Sequence, residues 1–128
     1  MPSILIADDS RVQVLIFSTY LTAKGFTVAV AADALQAWMS ALRNVPDAIV
    51  LDINMPAGSG IDILRKVRMS TKTQQIPVVV VTGTRDAETE RIARELGAAE
   101  FLHKPVDPAE LHAILVRLLT VGDASTAR

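Results

Sequence analysis

The chain alternates between short apolar runs and longer amphipathic segments, and each change of character is marked by Gly, Pro or Asp. Most of the apolar runs are continuous rather than interrupted by polar residues, which is typical of strands that helices cover on both faces. The run of four valines at 78–81 is the clearest case. We therefore predict five parallel strands, at 4–7, 27–30, 48–51, 78–82 and 100–102.

In the segments between these runs, apolar residues recur with the spacing of an α-helix. Leu35, Trp38, Met39 and Leu42 stand at positions i, i+3, i+4 and i+7, which describe one face of a helix. Trp38 and Met39 are therefore predicted to lie in the core. Strand–helix alternation with short connections implies parallel strands joined by right-handed crossovers. We predict a single α/β sandwich of five strands and about five helices.

The 128 residues are about the length of one domain. We predict that the folded domain occupies residues 1–121 and that the small polar segment 122–128 is disordered. Thirteen basic side chains nearly balance fourteen acidic ones, which leaves a net charge of −1. Such a charge provides no field for gripping a nucleic acid or an anionic membrane. Direct binding to either is therefore not expected.

The absence of cysteine excludes disulfides, thiol catalysis and thiolate metal sites, and it fits a reducing compartment. The first apolar run has no positive region before it and is soon broken by acidic residues. It therefore resembles neither a signal peptide nor a membrane span. The predicted location is the cytoplasm.

Polar residues follow four of the five predicted strands. Asp8 and Asp9 follow the first strand, Asp52 the third and Lys104 the fifth, while Thr82 ends the fourth. The carboxyl ends of parallel strands meet at one edge of a sheet, so these side chains should converge there. Crowded carboxylates repel one another and suit a hard cation such as Mg²⁺. With a lysine and a hydroxyl nearby, this arrangement can orient a phosphoryl group for transfer to an aspartate.

Four short motifs, in this order and on these elements, resemble one family. They are Asp8-Asp9, Leu-Asp-Ile-Asn-Met-Pro at 51–56 followed by Gly58 and Gly60, Val-Thr-Gly at 81–83, and Phe-Leu-His-Lys-Pro at 101–105. The family is the receiver domain of two-component response regulators, and the resemblance covers about residues 3–119. It implies a flavodoxin-like, doubly wound (βα)5 fold, a three-layer sandwich whose parallel sheet has the order 2-1-3-4-5. Stand-alone receivers of the chemotaxis type are the nearest comparison.

The resemblance also implies a role for each matching residue. Asp52 would accept a phosphoryl group, with Lys104 pairing with one phosphoryl oxygen and Thr82 moving to bind another. A bound Mg²⁺, or Mn²⁺, would be held by four groups: the side chains of Asp8, Asp9 and Asp52 and the backbone carbonyl of Asn54.

Further positions would govern switching and the lifetime of the phosphoryl group. Phe101 stands where the family often has tyrosine. Together with Thr82 it would form the switch, by swinging inward to fill the space that the threonine vacates. Asn54 and Thr84 would tune hydrolysis by controlling the access of water. The Lys104–Pro105 peptide bond is expected to be cis, since cis bonds are largely restricted to proline.

The implied function is that of a signalling phosphoacceptor rather than an enzyme, one that assists its own phosphorylation and slow autodephosphorylation. A sensor histidine kinase or a phosphotransfer protein would be the donor. A downstream protein would read the face formed by the fourth helix, fifth strand and fifth helix, with Arg91, Arg94, Glu95, Phe101 and His112. The first helix also carries more apolar residues than one buried stripe requires, which indicates a partner surface or a homodimer.

Other interpretations stay open. A degenerate receiver would bind partners without phosphorylation, although the intact set of aspartates, threonine and lysine argues against it. A phosphatase of the haloacid-dehalogenase type needs a second acid two residues after its nucleophile, where this chain has Asn54. A flavin-binding protein would need a phosphate-binding loop, and no convincing one is present. Taken alone, Asp8 and Asp9 could merely cap the helix that begins near Ser10.

Overall fold

The computed structural model describes the backbone of residues 2–55 and 59–126 and the side chains up to residue 120. The strands in these ranges are β1 Ser3–Ala7, β2 Thr27–Ala31, β3 Ala48–Leu51, β4 Val78–Thr82 and β5 Glu100–His103. The helices are α1 Arg11–Ala23, α2 Ala34–Arg43, α3 Gly60–Met69, α4 Ala87–Glu95 and α5 Pro108–Thr126. Each strand agrees with its predicted range to within one residue at either end.

The strands form one parallel sheet in the order β2-β1-β3-β4-β5. One hydrophobic core fills the space between the sheet and α2, α3 and α4. A second core lies on the other face, where α1 and α5 pack. The flavodoxin-like, three-layer architecture with this strand order is therefore confirmed.

The valine run of β4 shows why the central strands are apolar throughout. Val78 and Val80 point into the core beneath α2, α3 and α4, whereas Val79 and Val81 point into the core beneath α1 and α5. Successive side chains of a strand face opposite sides, so a strand with helices on both faces has no solvent-facing side. All four valines are at most 1% exposed.

The packing of α2 differs from the expectation for its large side chains. Its buried residues are Ala34, Ala37 and Ala41, whereas Met39 is 48% exposed and Trp38 is only partly buried. The prediction that Met39 belongs to the core is therefore wrong. Small side chains let the helix lie close to the sheet, so the alanine stripe faces inward and displaces the neighbouring stripe of larger residues toward solvent.

The helix α5 continues to Thr126 and so enters the segment 122–128 that was expected to be disordered. Residues 127–128 and the side chains from 121 onward lie outside the described residues. The domain boundary at residue 121 and the disordered segment stay predictions. Among the helices of the described residues, none combines the length and the apolar character that crossing a membrane requires.

Candidate functional site

The sheet holds three of the predicted site residues through its own backbone ladder. Asp8, Asp52 and Lys104 each come one residue after the end of a strand. Their backbone N–H groups donate to carbonyls of β2, β1 and β4 at 3.0, 2.9 and 2.8 Å, respectively. The ladder therefore extends one step beyond the strands and fixes all three residues at the carboxyl edge of the sheet.

The three predicted carboxylates converge at this edge. Asp8, Asp9 and Asp52 each offer an oxygen atom, and these atoms lie within 4.8 Å of one another. Asp8 is 4% exposed and Asp52 is 6% exposed, whereas Asp9 faces solvent. Like charges at this separation repel strongly where water is largely excluded. The cluster therefore needs positive charge close by.

Lys104 supplies one such charge. Its Nζ lies 2.9 Å from Oδ2 of Asp8 and 3.1 Å from Oδ2 of Asp52. The other carboxylate oxygens accept backbone hydrogen bonds, Asp8 Oδ1 from Ser10 at 2.9 Å and Asp52 Oδ1 from Asn54 at 3.1 Å. One ammonium thus bridges the two buried carboxylates, and each carboxylate is also oriented by the loop that follows it.

The pKa values at the bridge reflect burial and pairing. Burial raises the pKa of Asp8, and the hydrogen bonds from Ser10 and Lys104 offset this only in part. Burial alone would lower the pKa of Lys104, but its hydrogen bonds to Asp8 and Asp52 outweigh that effect, so its pKa is raised. Lys104 therefore stays protonated, whereas the ionised form of Asp8 is disfavoured until further positive charge arrives.

The donor set fits a hard divalent cation. It consists of carboxylate oxygens, the ligands that Mg²⁺ prefers, and one ammonium cannot neutralise three carboxylates. Because Asp9 is exposed, an ion has a route into the cluster from solvent. The Asn54 backbone is held next to Asp52 by its N–H group, and its carbonyl stays a predicted ligand.

Thr82 and Phe101 lie on adjacent strands and on the same face of the sheet. In the register of β4 with β5, Val80 pairs with Phe101 and Thr82 pairs with His103. Thr82 is fully buried, and its hydroxyl oxygen accepts the Thr84 backbone N–H at 3.3 Å. The Phe101 side chain is 5% exposed. The aromatic ring is thus already directed inward in this structure.

The expected surface for a downstream partner is only partly as predicted. Arg91, Arg94 and Glu95 are exposed on α4, where Arg91 pairs with Glu95 and both arginines pair with further glutamates of the same helix. Phe101 is buried. The His112 ring packs edge-on against two aromatic rings on the α1 side of the sheet. Neither residue is therefore part of the exposed face of α4, because Phe101 lies in the core and the His112 ring is directed toward α1.

The Lys104–Pro105 peptide bond is cis, as the resemblance implied. Pro56 and Gly58, which contribute to the motif after Asp52, lie outside the described residues.

Gly60 has a positioning role that the sequence motif alone did not reveal. A Cβ atom at this glycine would lie 2.5 Å from the carbonyl oxygen of Asp52 and 2.6 Å from Cα of Ile53. The Gly60 N–H donates to the Ile53 carbonyl at 2.8 Å. Only glycine therefore lets the start of α3 pack directly on the backbone that carries Asp52. The sequence does carry an indication of this role, because α3 begins with a glycine at a position where most residues are tolerated.

Comparison with known families agrees with this geometry. The family model described as response regulator receiver domain matches residues 4–116. Response regulator PleD of Caulobacter vibrioides is 40% identical over 118 residues, which are 91% of this chain and 26% of PleD. Transcriptional regulatory protein CpxR of Klebsiella pneumoniae is 38% identical over 120 residues, 93% of this chain and 50% of CpxR. The chain thus spans between a quarter and a half of the length of these curated relatives.

Solved structures give the same result. Chemotaxis protein CheY4 of Vibrio cholerae superposes with a TM-score of 0.85 at 31% identity, over 91% of this chain and 98% of that chain. The receiver domain of sensor histidine kinase PA1611 from Pseudomonas aeruginosa superposes with a TM-score of 0.84 at 28% identity, over 93% of this chain and 98% of that chain. The PA1611 structure has a magnesium ion coordinated in its active-site cleft.

Two glycine variants test the packing of the site. We expect Gly60→Ala to lower the free energy of unfolding by about 1–3 kcal/mol, because the added methyl group overlaps the backbone at Asp52. Gly83→Ala is the matched control, since a Cβ there meets no atom within 4 Å, and it should change stability by less than about 0.5 kcal/mol. Urea unfolding measures both. Equal stabilities for the two variants would contradict the assigned role of Gly60.

Proposed function

This chain belongs to the response regulator receiver domain family of two-component signalling, and we propose that Asp52 accepts a phosphoryl group from a phosphohistidine of a partner protein. One observation carries the proposal. The buried Asp52 carboxylate stands at a strand end with two further carboxylates within 4.8 Å and the Lys104 ammonium at 3.1 Å. Burying a charged carboxylate costs free energy, and this site buries two of them beside a third. A purely structural role does not account for such a cluster.

In the proposed reaction an Asp52 carboxylate oxygen attacks the phosphorus of the phosphohistidine. A P–O bond forms as the P–N bond breaks, and the electron pair of that bond passes to the imidazole nitrogen, which takes a proton. The product is an acyl phosphate on Asp52. Lys104 would pair with a phosphoryl oxygen, and the Thr82 hydroxyl would bind another after a movement toward the site.

Mg²⁺ is the proposed cofactor, held by Asp8, Asp9, Asp52 and the Asn54 carbonyl. When bound, it would neutralise charge on the phosphoryl oxygens during transfer. The magnesium in the cleft of the PA1611 receiver domain supports the choice of this ion. Mn²⁺ prefers the same class of oxygen ligands and is the proposed substitute.

Hydrolysis of the acyl phosphate would end the signal. Asn54 and Thr84 are the proposed tuning positions, because they flank the phosphoryl site and would control the path of an attacking water. The exposed side chain of Asn54 and the half-buried side chain of Thr84 fit this role. We expect this autodephosphorylation to be slow.

The proposed switch links Thr82 to Phe101. A movement of the buried Thr82 hydroxyl toward the phosphoryl group would leave space on the face that it shares with Phe101. The Phe101 ring already lies inward, so we expect it to shift into this space rather than to enter from solvent. The change would reach a downstream protein through the face of α4, β5 and α5.

The donor protein is proposed to dock on an apolar patch of α1 and β2 beside the aspartates. Val12, Leu15 and Val30 are 69%, 66% and 48% exposed. A cavity of about 350 Å³ joins this patch to the site, since Leu15 and Val30 line it together with Asp8 and Asp9. Exposed apolar side chains in a continuous patch indicate a protein partner. A kinase or phosphotransfer protein on this patch would have its histidine beside the cluster of aspartates.

The near-neutral charge of the chain also supports protein partners rather than nucleic acid or a membrane surface. A homodimer through the same patch is the alternative occupant. The cytoplasmic location stays a prediction. The main alternative is a degenerate receiver, which would have the same fold but would bind partners without being phosphorylated.

Incubation with acetyl phosphate and Mg²⁺ tests the proposed chemistry. We expect intact mass spectrometry to show one phosphoryl adduct on the wild-type chain, because Asp52, Lys104 and the metal together promote transfer. The adduct should be lost in Asp52→Asn and after chelation with EDTA. Asp47→Asn is the matched control, since this exposed aspartate lies away from the cluster and, among the described residues, its side chain accepts hydrogen bonds from Ser3. Absence of an adduct on the wild-type chain with acetyl phosphate or with a cognate kinase would favour the degenerate receiver.

Leu15→Glu tests the docking patch. We expect phosphoryl transfer from a cognate histidine kinase to slow at least tenfold, on the order of 1.4 kcal/mol, because a charge enters the apolar contact. Transfer from acetyl phosphate should be unchanged. Leu35→Glu, at a 59% exposed leucine of α2, is the matched control. An unchanged kinase rate in Leu15→Glu, or an equal loss in Leu35→Glu, would contradict this docking surface.

A further inference from the structure

The outer side of β2 lacks the features that usually protect an edge strand. Within the described residues β2 pairs with β1 alone, so it forms one edge of the sheet. Edge strands are commonly protected by charged residues, proline or a bulge, which discourage pairing with another chain. The sequence of β2 is Thr-Val-Ala-Val-Ala, and its register with β1 is unbroken from Thr27 to Ala31. β2 is therefore a regular, uncharged strand with one side open.

The backbone of β2 alternates between its paired side and its open side. The Thr27 N–H donates to the Pro2 carbonyl at 2.9 Å, and the Ala31 carbonyl accepts the Asp8 N–H at 3.0 Å. The residues at 27, 29 and 31 thus direct their backbone polar groups toward β1. The N–H and C=O groups of Val28 and Val30 therefore point to the open side, where they are placed to bind another strand.

We propose that the open side of β2 binds the same strand of a second copy of this chain, antiparallel and about a twofold axis at Ala29. In this register Val28 of one copy lies opposite Val30 of the other, and all of their outward N–H and C=O groups are paired. Ala29 faces its own counterpart at the axis, where opposed side chains come closest and a methyl group fits. The two five-stranded sheets join into one continuous sheet.

The charges beside β2 favour the antiparallel arrangement. Lys24 is the first charged residue before the strand, and Asp33 is the first after it. Antiparallel pairing about Ala29 places position 25 of one copy opposite position 33 of the other, so Lys24 of each copy lies beside Asp33 of the other. Opposite charges thus meet at both ends of the contact, whereas parallel pairing would place like charges together.

Exposed apolar side chains accompany this edge on both faces of the sheet. Leu15 of α1 is 66% exposed and lines a cavity together with Val30. Leu35 and Met39 are 59% and 48% exposed on α2, which packs against β2 from the other face. The twofold axis keeps α1 of both copies on one face and α2 of both copies on the other. Pairing would therefore bring these apolar side chains toward their counterparts.

Pairing of two copies would compete with docking of the phosphoryl donor. Val30 belongs both to the strand contact and to the apolar patch proposed for the donor. The pairing itself does not rest on the proposed function of Asp52, since it uses only the edge of the sheet and its flanking residues. A chain that is never phosphorylated would still form it.

Cysteine cross-linking tests the register. The chain has no cysteine of its own, so Ala29→Cys introduces a single thiol at the exposed centre of β2. The Cα atoms of an opposed pair that is not hydrogen-bonded lie about 4.5 Å apart, which is within the range of a disulfide. We expect a mild oxidant to convert Ala29→Cys to a covalent dimer on a non-reducing gel.

Thr27→Cys is the matched control for the cross-link. Thr27 is exposed on the same strand, but in this register it lies roughly 13 Å from its counterpart, too far for a disulfide. It should therefore stay largely monomeric under the same oxidant. Cross-linking of both variants to the same extent, or of neither, would overturn the register.

Sedimentation velocity of the whole chain tests the contact without a cross-link. The wild type should form dimers as its concentration rises to about 1 mM. Ala29→Lys should raise the dissociation constant of the dimer at least tenfold, because two ammonium groups meet at the axis. Met69→Lys is the matched control, since Met69 is 78% exposed on α3. A wild type that stays monomeric would overturn the proposal, and so would a dimer that Ala29→Lys leaves unchanged, because its contact would lie on another face.

Discussion

The ammonium of Lys104 between the carboxylates of Asp8 and Asp52 is the interaction on which the site depends. Two buried like charges close together are unfavourable, and the single bridging cation makes them tolerable without neutralising the full cluster. The negative charge that remains fits a divalent cation, for which carboxylate oxygens are suitable ligands. The same arrangement leaves Asp52 as a buried carboxylate at the edge of a sheet whose interior is apolar.

The fold serves this interaction by fixing backbone rather than side chains. The backbone hydrogen bonds of the sheet continue into Asp8, Asp52 and Lys104. At Gly60, the start of α3 packs directly against the backbone that carries Asp52. The valines of β4 pack alternately into the two hydrophobic cores, which stabilises the strand that leads to this edge.

The periodicity of apolar residues predicted the strands, and the resemblance to receiver domains implied their order. The residues that meet at the site could be predicted because parallel strands bring their carboxyl ends together whatever the details of packing. They did not predict which face of α2 is inward. Alanine and larger apolar residues compete for that face, and the outcome depends on the distance to the sheet. The four hydrogen bonds from Arg68 to backbone carbonyls were also missed, because a basic residue near a helix end is usually a solvated charge. Two of those carbonyls, at Leu96 and Gly97, are also distant in sequence.

A double-mutant cycle of Lys104→Met and Asp8→Asn, measured by urea unfolding in EDTA, tests the central interaction most directly. We expect Lys104→Met to be much less destabilising when Asp8 has already lost its charge, with a coupling free energy on the order of 1–3 kcal/mol. That result would show that the lysine is needed because of the buried carboxylate beside it. Additive effects within about 0.5 kcal/mol would contradict this explanation of the site.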